Sequence, residues 1–85
     1  MVRSSVAMGQ IQDVPVRLPI KLGQFLKLAG LVDSGAEASE LIAGQDVEVD
    51  GEIETRRGRQ LLGGEVITVL TDASEARARV VSSGY

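Results

Sequence analysis

The chain of 85 residues contains no cysteine, no histidine and no tryptophan, and its aromatic residues are one Phe and one Tyr. Without cysteine there is no disulfide framework and no thiolate chemistry, which fits a cytoplasmic protein. Without histidine, the commonest metal ligand and the usual general base are both missing. Phe25 is expected in the core and Tyr85 ends the chain, so no aromatic platform for stacking bases is predicted.

Several other signals are missing as well. No apolar run approaches ~18 residues, so no membrane span is predicted, and the first ten residues show no signal-peptide pattern. No glycine-rich nucleotide-binding motif occurs, and the serines have no histidine to activate them. Asp46 to Asp50 imitates the start of a calcium loop, but Arg57 stands where a bidentate Glu is needed. The sequence therefore predicts a protein that is not an enzyme and has no metal, cofactor or small-molecule substrate.

Charge is unevenly placed along the chain. The net charge of −3 argues against broad attraction to nucleic acid, so any such role must depend on a local basic patch. A third of the lysines and arginines stand together, at Arg56, Arg57 and Arg59. One interpretation is that they form surface pairs, worth about 0–1 kcal/mol each, with Glu48, Glu52 and Glu54. The other is that their guanidinium groups grip phosphate oxygens.

The pattern of apolar residues predicts an α+β domain, with two short helices packed on a small antiparallel sheet. Val14, Val16 and Leu18 alternate with prolines and Arg17, which is typical of an edge strand. Helical spacing of apolar residues predicts a first helix from Leu22 to Val32. A capping box at Ser34 predicts a second helix that runs to about Ala43.

The second half of the chain predicts β-structure. Val47 and Val49 precede Asp50-Gly51, a strong hairpin turn, and residues 65–70 form a further strand. A two-residue turn would place Ile53 on the face opposite Val49, whereas a bulged turn would align them, and the sequence leaves both open. We expect a domain over residues 13–70, a loose leader over 1–12 and a tail over 71–85. A helix from Asp72 to Val81 is as plausible as a frayed end.

Four further polar positions have two interpretations each. Lys21, Gln24 and Lys27 lie on the polar side of the first predicted helix, which is either simply solvated or joined to the arginines in one basic groove. Ser34 is either a plain helix cap or part of a phosphate site at a helix N-terminus. Pattern alone favours the solvated face and the plain cap.

The motifs taken in order resemble the S4-type RNA-binding domain. They are Lys21-Leu22-Gly23-Gln24-Phe25-Leu26-Lys27, Ser34-Gly35-Ala36-Glu37-Ala38, Gly44, Val47-x-Val49-Asp50-Gly51 and Glu54-Thr55-Arg56-Arg57-Gly58-Arg59. The resemblance covers about residues 14–70 and is greatest to small free-standing bacterial members. It implies a helix–turn–strand surface that binds structured RNA, ribosomal or transfer, as a monomer. It also implies that Lys21, Gln24, Lys27, Arg56, Arg57 and Arg59 contact that RNA.

The chain departs from the family pattern at positions that reduce its positive charge. Ser39 stands where the family usually has Lys or Arg, and Asp50, Gln60 and Leu62 also replace more basic or neutral residues. These departures favour an alternative in which the S4-type shape is kept as a protein-interaction module with an eroded RNA surface. A sulfur carrier of the ubiquitin-like kind would need a C-terminal Gly-Gly, whereas this chain ends Ser83-Gly84-Tyr85.

Overall fold

The computed structural model describes residues 11–71 and 74–84. Within these residues, two helices and seven strands follow one another. They are β1 (Ile11–Val16), β2 (Ile20–Lys21), α1 (Leu22–Leu28), α2 (Gly35–Ala43), β3 (Val47–Val49), β4 (Glu52–Ile53), β5 (Gln60–Leu61), β6 (Val66–Leu70) and β7 (Glu75–Ser82). The predicted leader lies outside the described residues as far as position 10, and Ile11 and Gln12 belong to β1.

The α+β class predicted from the sequence is confirmed. Five strands form one sheet in the order β1-β7-β6-β3-β4, and β2 pairs with β5 in a small second sheet. The large sheet is mixed. β1 runs parallel to β7, whereas the pairs β7-β6, β6-β3 and β3-β4 are antiparallel. β1 lies at the edge, as its proline predicted, and neither described helix is long and apolar enough to cross a membrane.

One core of buried side chains joins both helices to the sheet. Leu22, Phe25 and Leu26 of α1 are fully buried, as their helical spacing predicted. The core also contains Ala38 and Ile42 of α2 and the inward-facing residues of β3, β6 and β7. Complete burial of a Phe or Leu side chain stabilises the fold by roughly 1.5–3 kcal/mol, so this apolar face holds α1 in place. Its opposite face is left to solvent.

The helix ends differ slightly from prediction. α1 stops at Leu28 rather than Val32, and Gly30 then adopts a φ of 75°, which reverses the chain before α2. Ser34 caps α2 as predicted, because its Oγ accepts a hydrogen bond from the Glu37 N–H at 3.2 Å. The carboxylate of Glu37 reaches back to the Asp33 N–H at 2.8 Å. The predicted capping box is therefore present, with its return bond one residue earlier.

The hairpin register that the sequence left open is a two-residue turn. Asp50 and Gly51 both have positive φ, at 53° and 87°, the combination of a type I′ turn. Val49 pairs with Glu52, so Ile53 faces away from the core and is 55% exposed. The hairpin has no β-bulge that would align Ile53 with Val49 on the core face.

The helix considered for the C-terminal tail is wrong, because residues 75–82 form β7. This strand is hydrogen-bonded to β1 on one side and β6 on the other. Ala78 and Val80 are buried while Arg79 between them is exposed, which is the period-two pattern of a strand. The domain therefore extends beyond the predicted boundary at residue 70. Alanine and arginine favour a helix locally, but here pairing on both sides overrides that preference.

Candidate nucleic-acid interface

The polar side of α1 forms one wall of an open cleft of about 410 Å³. The N-terminus of α2 and the loop after β4 complete it. Two backbone bonds fix that loop to the start of α1: the Leu22 N–H donates to the Arg59 carbonyl at 2.8 Å and the Gly23 N–H to the Arg57 carbonyl at 3.1 Å. We call it the first cleft, and its charged or polar lining side chains are Lys21, Gln24, Lys27 and Arg57.

Arg57 is held in this cleft by contacts with both helices. Its Nη1 donates a hydrogen bond to the Ser39 Oγ at 2.8 Å. Its aliphatic part lies over Gly23, where a Cβ would be only 2.8 Å from the Arg57 Cγ. A glycine at position 23 therefore leaves room for the arginine, and Ser39 orients the guanidinium group. Ser39 stands where the family pattern has a basic residue, but its hydroxyl also accepts the hydrogen bond that orients Arg57.

The other two arginines of the run contact a carboxylate of their own chain. The Arg56 Nε lies 3.1 Å from Glu54 Oε2, and the Arg59 Nη1 lies 3.0 Å from Glu54 Oε1. The Arg56 backbone N–H also donates to Oε2 at 2.9 Å. The predicted pairing with hairpin acids is confirmed for Glu54, which accepts from both. The structure therefore divides the arginine run: Arg57 enters the cleft, and Arg56 and Arg59 neutralise Glu54.

Glu54 is the one buried acid among the described residues, with a side chain only 8% exposed. The hydrogen bond from the Arg56 side chain contributes most to lowering its pKa from the usual 4.5 to about 2. The Arg56 backbone N–H and the Arg59 side chain lower the pKa further, against the opposing effect of burial. Glu54 is therefore ionised at neutral pH and organises the loop that carries Arg57.

This low pKa predicts a loss of stability in acid. A carboxyl group whose pKa is depressed in the folded state stabilises the fold above its unfolded pKa, near 4.5, and loses that contribution as the pH falls towards about 2. We expect the difference in free energy of unfolding between the unmodified protein and Glu54→Gln to shrink across this window. Urea unfolding at a series of pH values measures it, and a difference that stays constant from pH 4.5 to 2 would contradict the assignment.

A second cleft of about 280 Å³ adjoins the first. Gln24 and Lys27 line both, so the two clefts lie side by side along α1. The second cleft adds Arg17, which lies between β1 and β2. Sequence reasoning did not select Arg17 as a site residue. The alternating pattern showed only that it points away from the core, and its closeness to Lys27 depends on the path of the folded chain.

Ser34 has a structural role in the described fold. Its hydroxyl is used in the cap of α2, and the neighbouring Gly35, not Ser34, lines the first cleft. Within residues 11–71 and 74–84 there is no group of three or more His, Cys, Asp or Glu side chains arranged to hold a metal ion. The site's chemistry is thus that of cationic and amide side chains.

Residues 16–77 match the S4 domain family, which is most of the chain. The chain belongs to the S4 domain family. A protein of Bacillus subtilis named "Probable ribosome maturation protein RlbA" is 44% identical over 50 residues, which is 59% of this chain and 70% of that protein. A protein of Escherichia coli named "Putative RNA-binding protein YbcJ" is 39% identical over 49 residues, which is 58% of this chain and 70% of that protein.

The cations of this S4 domain fall into two groups. Arg3 lies outside the described residues, and the other eight divide evenly. Four form salt bridges with Glu54, Glu75 or Asp13: Arg56, Arg59, Arg77 and Arg79. Four make no salt bridge within the described part of the chain, and all of them line the two clefts: Arg17, Lys21, Lys27 and Arg57. None of the described residues that line the two clefts is acidic.

Proposed function

We propose that this S4 domain is a non-catalytic module that binds structured RNA through its phosphates and its shape. The observation that carries the proposal is the gathering of Lys21, Lys27 and Arg57 in one cleft, with no acid among its described lining residues, on an anionic protein. Cations that form no ion pair within the described residues keep their full charge for phosphate oxygens, whereas Arg56 and Arg59 share the Glu54 carboxylate, which offsets part of theirs. A local basic surface is what a protein of net charge −3 needs in order to hold a polyanion.

The side chains around the cleft favour contact with the backbone of the RNA over reading of its bases. Phe25, the one aromatic residue that the structure describes, is fully buried. RNA modules that read sequence stack unpaired bases on exposed aromatic rings. Lysine and arginine contacts to phosphate fix position and orientation instead. Gln24, between the cations, supplies an amide that can donate to a ribose or phosphate oxygen and accept from a 2′-hydroxyl.

The names of the relatives support RNA as the partner. One is named as an RNA-binding protein and the other as a ribosome maturation protein. We therefore propose ribosomal RNA as the first candidate and tRNA as the second, bound in the cytoplasm by a monomer. Crosslinking in cells followed by sequencing of the recovered RNA distinguishes the two, since the dominant reads identify the RNA.

The proposal predicts steep salt dependence. Each neutralised phosphate contributes a slope of roughly −0.7 to −0.9 to log K against log salt, so three contacts give about −2 or steeper. Fluorescence anisotropy with a labelled RNA hairpin across a salt series measures this slope. A flat dependence, or no binding at low salt, would contradict phosphate recognition at the first cleft.

The alternative is a protein-interaction module that keeps the S4 shape. The negative net charge favours it, and so does Ser39 in place of a family lysine or arginine. A pull-down performed with and without nuclease separates the two functions. Partners lost on nuclease treatment support RNA binding, and a discrete partner that survives it supports protein binding.

A further inference from the structure

We propose that the second cleft binds an unpaired nucleotide of the same RNA, with Arg17 on its phosphate and Leu28 against its base. This rests on the proposed function and extends it by naming the kind of RNA: a duplex next to an unpaired nucleotide. The second cleft shares Gln24 and Lys27 with the helix face that the family motifs mark, and it adds Arg17, Pro19 and Leu28, which those motifs do not include.

The positive charge of both clefts and the residues they share favour a single RNA that contacts both. Arg17 is exposed and makes no ion pair with any residue in the described ranges, and Lys27 belongs to both clefts. A backbone held by Lys21 and Arg57 in the first cleft meets Lys27 next and Arg17 beyond it. Because none of the described residues that line the two clefts is acidic, no carboxylate in that lining opposes the attraction to phosphate.

The apolar side of the second cleft indicates what accompanies the phosphate. Leu28 is 67% exposed at the end of α1, and Pro19 lies in the same cleft. Gln24 and Leu28 are four residues apart, so they share one face of the helix. A paired base hides both its faces inside the duplex, whereas an unpaired base can place a face on an aliphatic side chain or on a guanidinium plane. The combination of Arg17 and Leu28 therefore suits an unpaired nucleotide better than a duplex.

The test compares two labelled RNA hairpins that differ by a single bulged nucleotide. We expect the unmodified protein to bind the bulged hairpin about fivefold more tightly and Leu28→Ala to lose most of that preference. Arg17→Ala is expected to weaken binding to the bulged hairpin by about tenfold and to reduce its salt slope by about 0.7–0.9. Fluorescence anisotropy at several salt concentrations gives both quantities.

Two matched variants control for charge and for exposed apolar surface. Arg79→Ala removes an arginine from β7, and Leu62→Ala removes a leucine that is 70% exposed and lines neither cleft. We expect both to bind the two hairpins as the unmodified protein does. Equal behaviour of Arg17→Ala and Arg79→Ala, or an unchanged bulge preference in Leu28→Ala, would overturn the inference.

The failure of this inference is distinguishable from failure of the proposed function. If the unmodified protein binds neither hairpin, the RNA-binding function itself is contradicted. If it binds them but Arg57→Ala has no effect on either, the first cleft is not the site. If Arg57→Ala weakens binding to both hairpins while Arg17→Ala and Leu28→Ala match their controls, binding at the first cleft is supported and only the role of the second cleft is contradicted.

Discussion

Replacing Lys21 and Arg57 together by alanine is expected to weaken RNA binding by about 25- to 60-fold without unfolding the protein. Both side chains line the first cleft, and neither forms a salt bridge within the described residues. Loss of two phosphate contacts removes about 1.4–1.8 from the salt slope, which corresponds to this change in affinity near ~0.1 M salt. Anisotropy titrations measure the affinity, and circular dichroism checks the fold.

The chain offers a matched control for this variant. Arg77→Ala/Arg79→Ala also removes two positive charges, but from β7, where those arginines pair with Glu75 and Asp13. If attraction depended only on net charge, the two double variants would lose the same affinity. We expect the β7 variant to retain affinity within about threefold, because distant exposed charges are screened at this salt concentration. Equal losses would show that the first cleft is not the site.

Replacing Glu54 by alanine is expected to lower the free energy of unfolding by about 1–3 kcal/mol. The buried carboxylate accepts hydrogen bonds from the Arg56 backbone, the Arg56 side chain and the Arg59 side chain. Without it, the turn that carries Arg57 loses its internal anchor. Glu54→Gln is expected to lose less, because its amide oxygen still accepts one of these bonds. Urea unfolding measures each variant.

Glu52→Ala is the control for the change at position 54. Glu52 is an exposed acid two residues earlier, and it makes no ion pair with any residue in the described ranges. We expect its replacement to change the free energy of unfolding by less than about 0.5 kcal/mol. Similar stability of the Glu54→Ala and Glu52→Ala variants would mean that the Glu54 cluster is a surface ion pair of little consequence.

The ion pairs of Glu54 also change how the arginine run should be tested. Alanine at all three arginines would remove Arg57 from the cleft but would also leave a buried carboxylate without its side-chain partners. Loss of binding in that variant would mix a lost phosphate contact with a destabilised loop. Arg57→Ala alone keeps Glu54 paired, so it reports on the contact itself.

Much of the fold followed from local patterns. The apolar spacing of α1, the cap at Ser34 and the Asp50-Gly51 turn each depend on residues within a few positions of one another, and all three are present. The same closeness in sequence explains why the S4 motifs were recognisable. Local rules failed for β7, since alanine and arginine have no strong strand preference. Its state depends on β1 and β6, which are far from its centre in the chain.

By itself, the sequence determined the inventory: which side chains are cationic, where the two described helices begin, and that cysteine and histidine chemistry is missing. Only the tertiary structure decided which cations are available. Arg56 and Arg57 are neighbours in the chain, yet one faces Glu54 and the other faces Ser39. The physical reason is that a carboxylate offsets the charge of an arginine only when the two groups lie close together. Glu54 lies only two residues from Arg56, whereas Ser39 lies 18 residues from Arg57. The position of Arg57 therefore depends on how α2 packs beside the loop between β4 and β5, which no local pattern records.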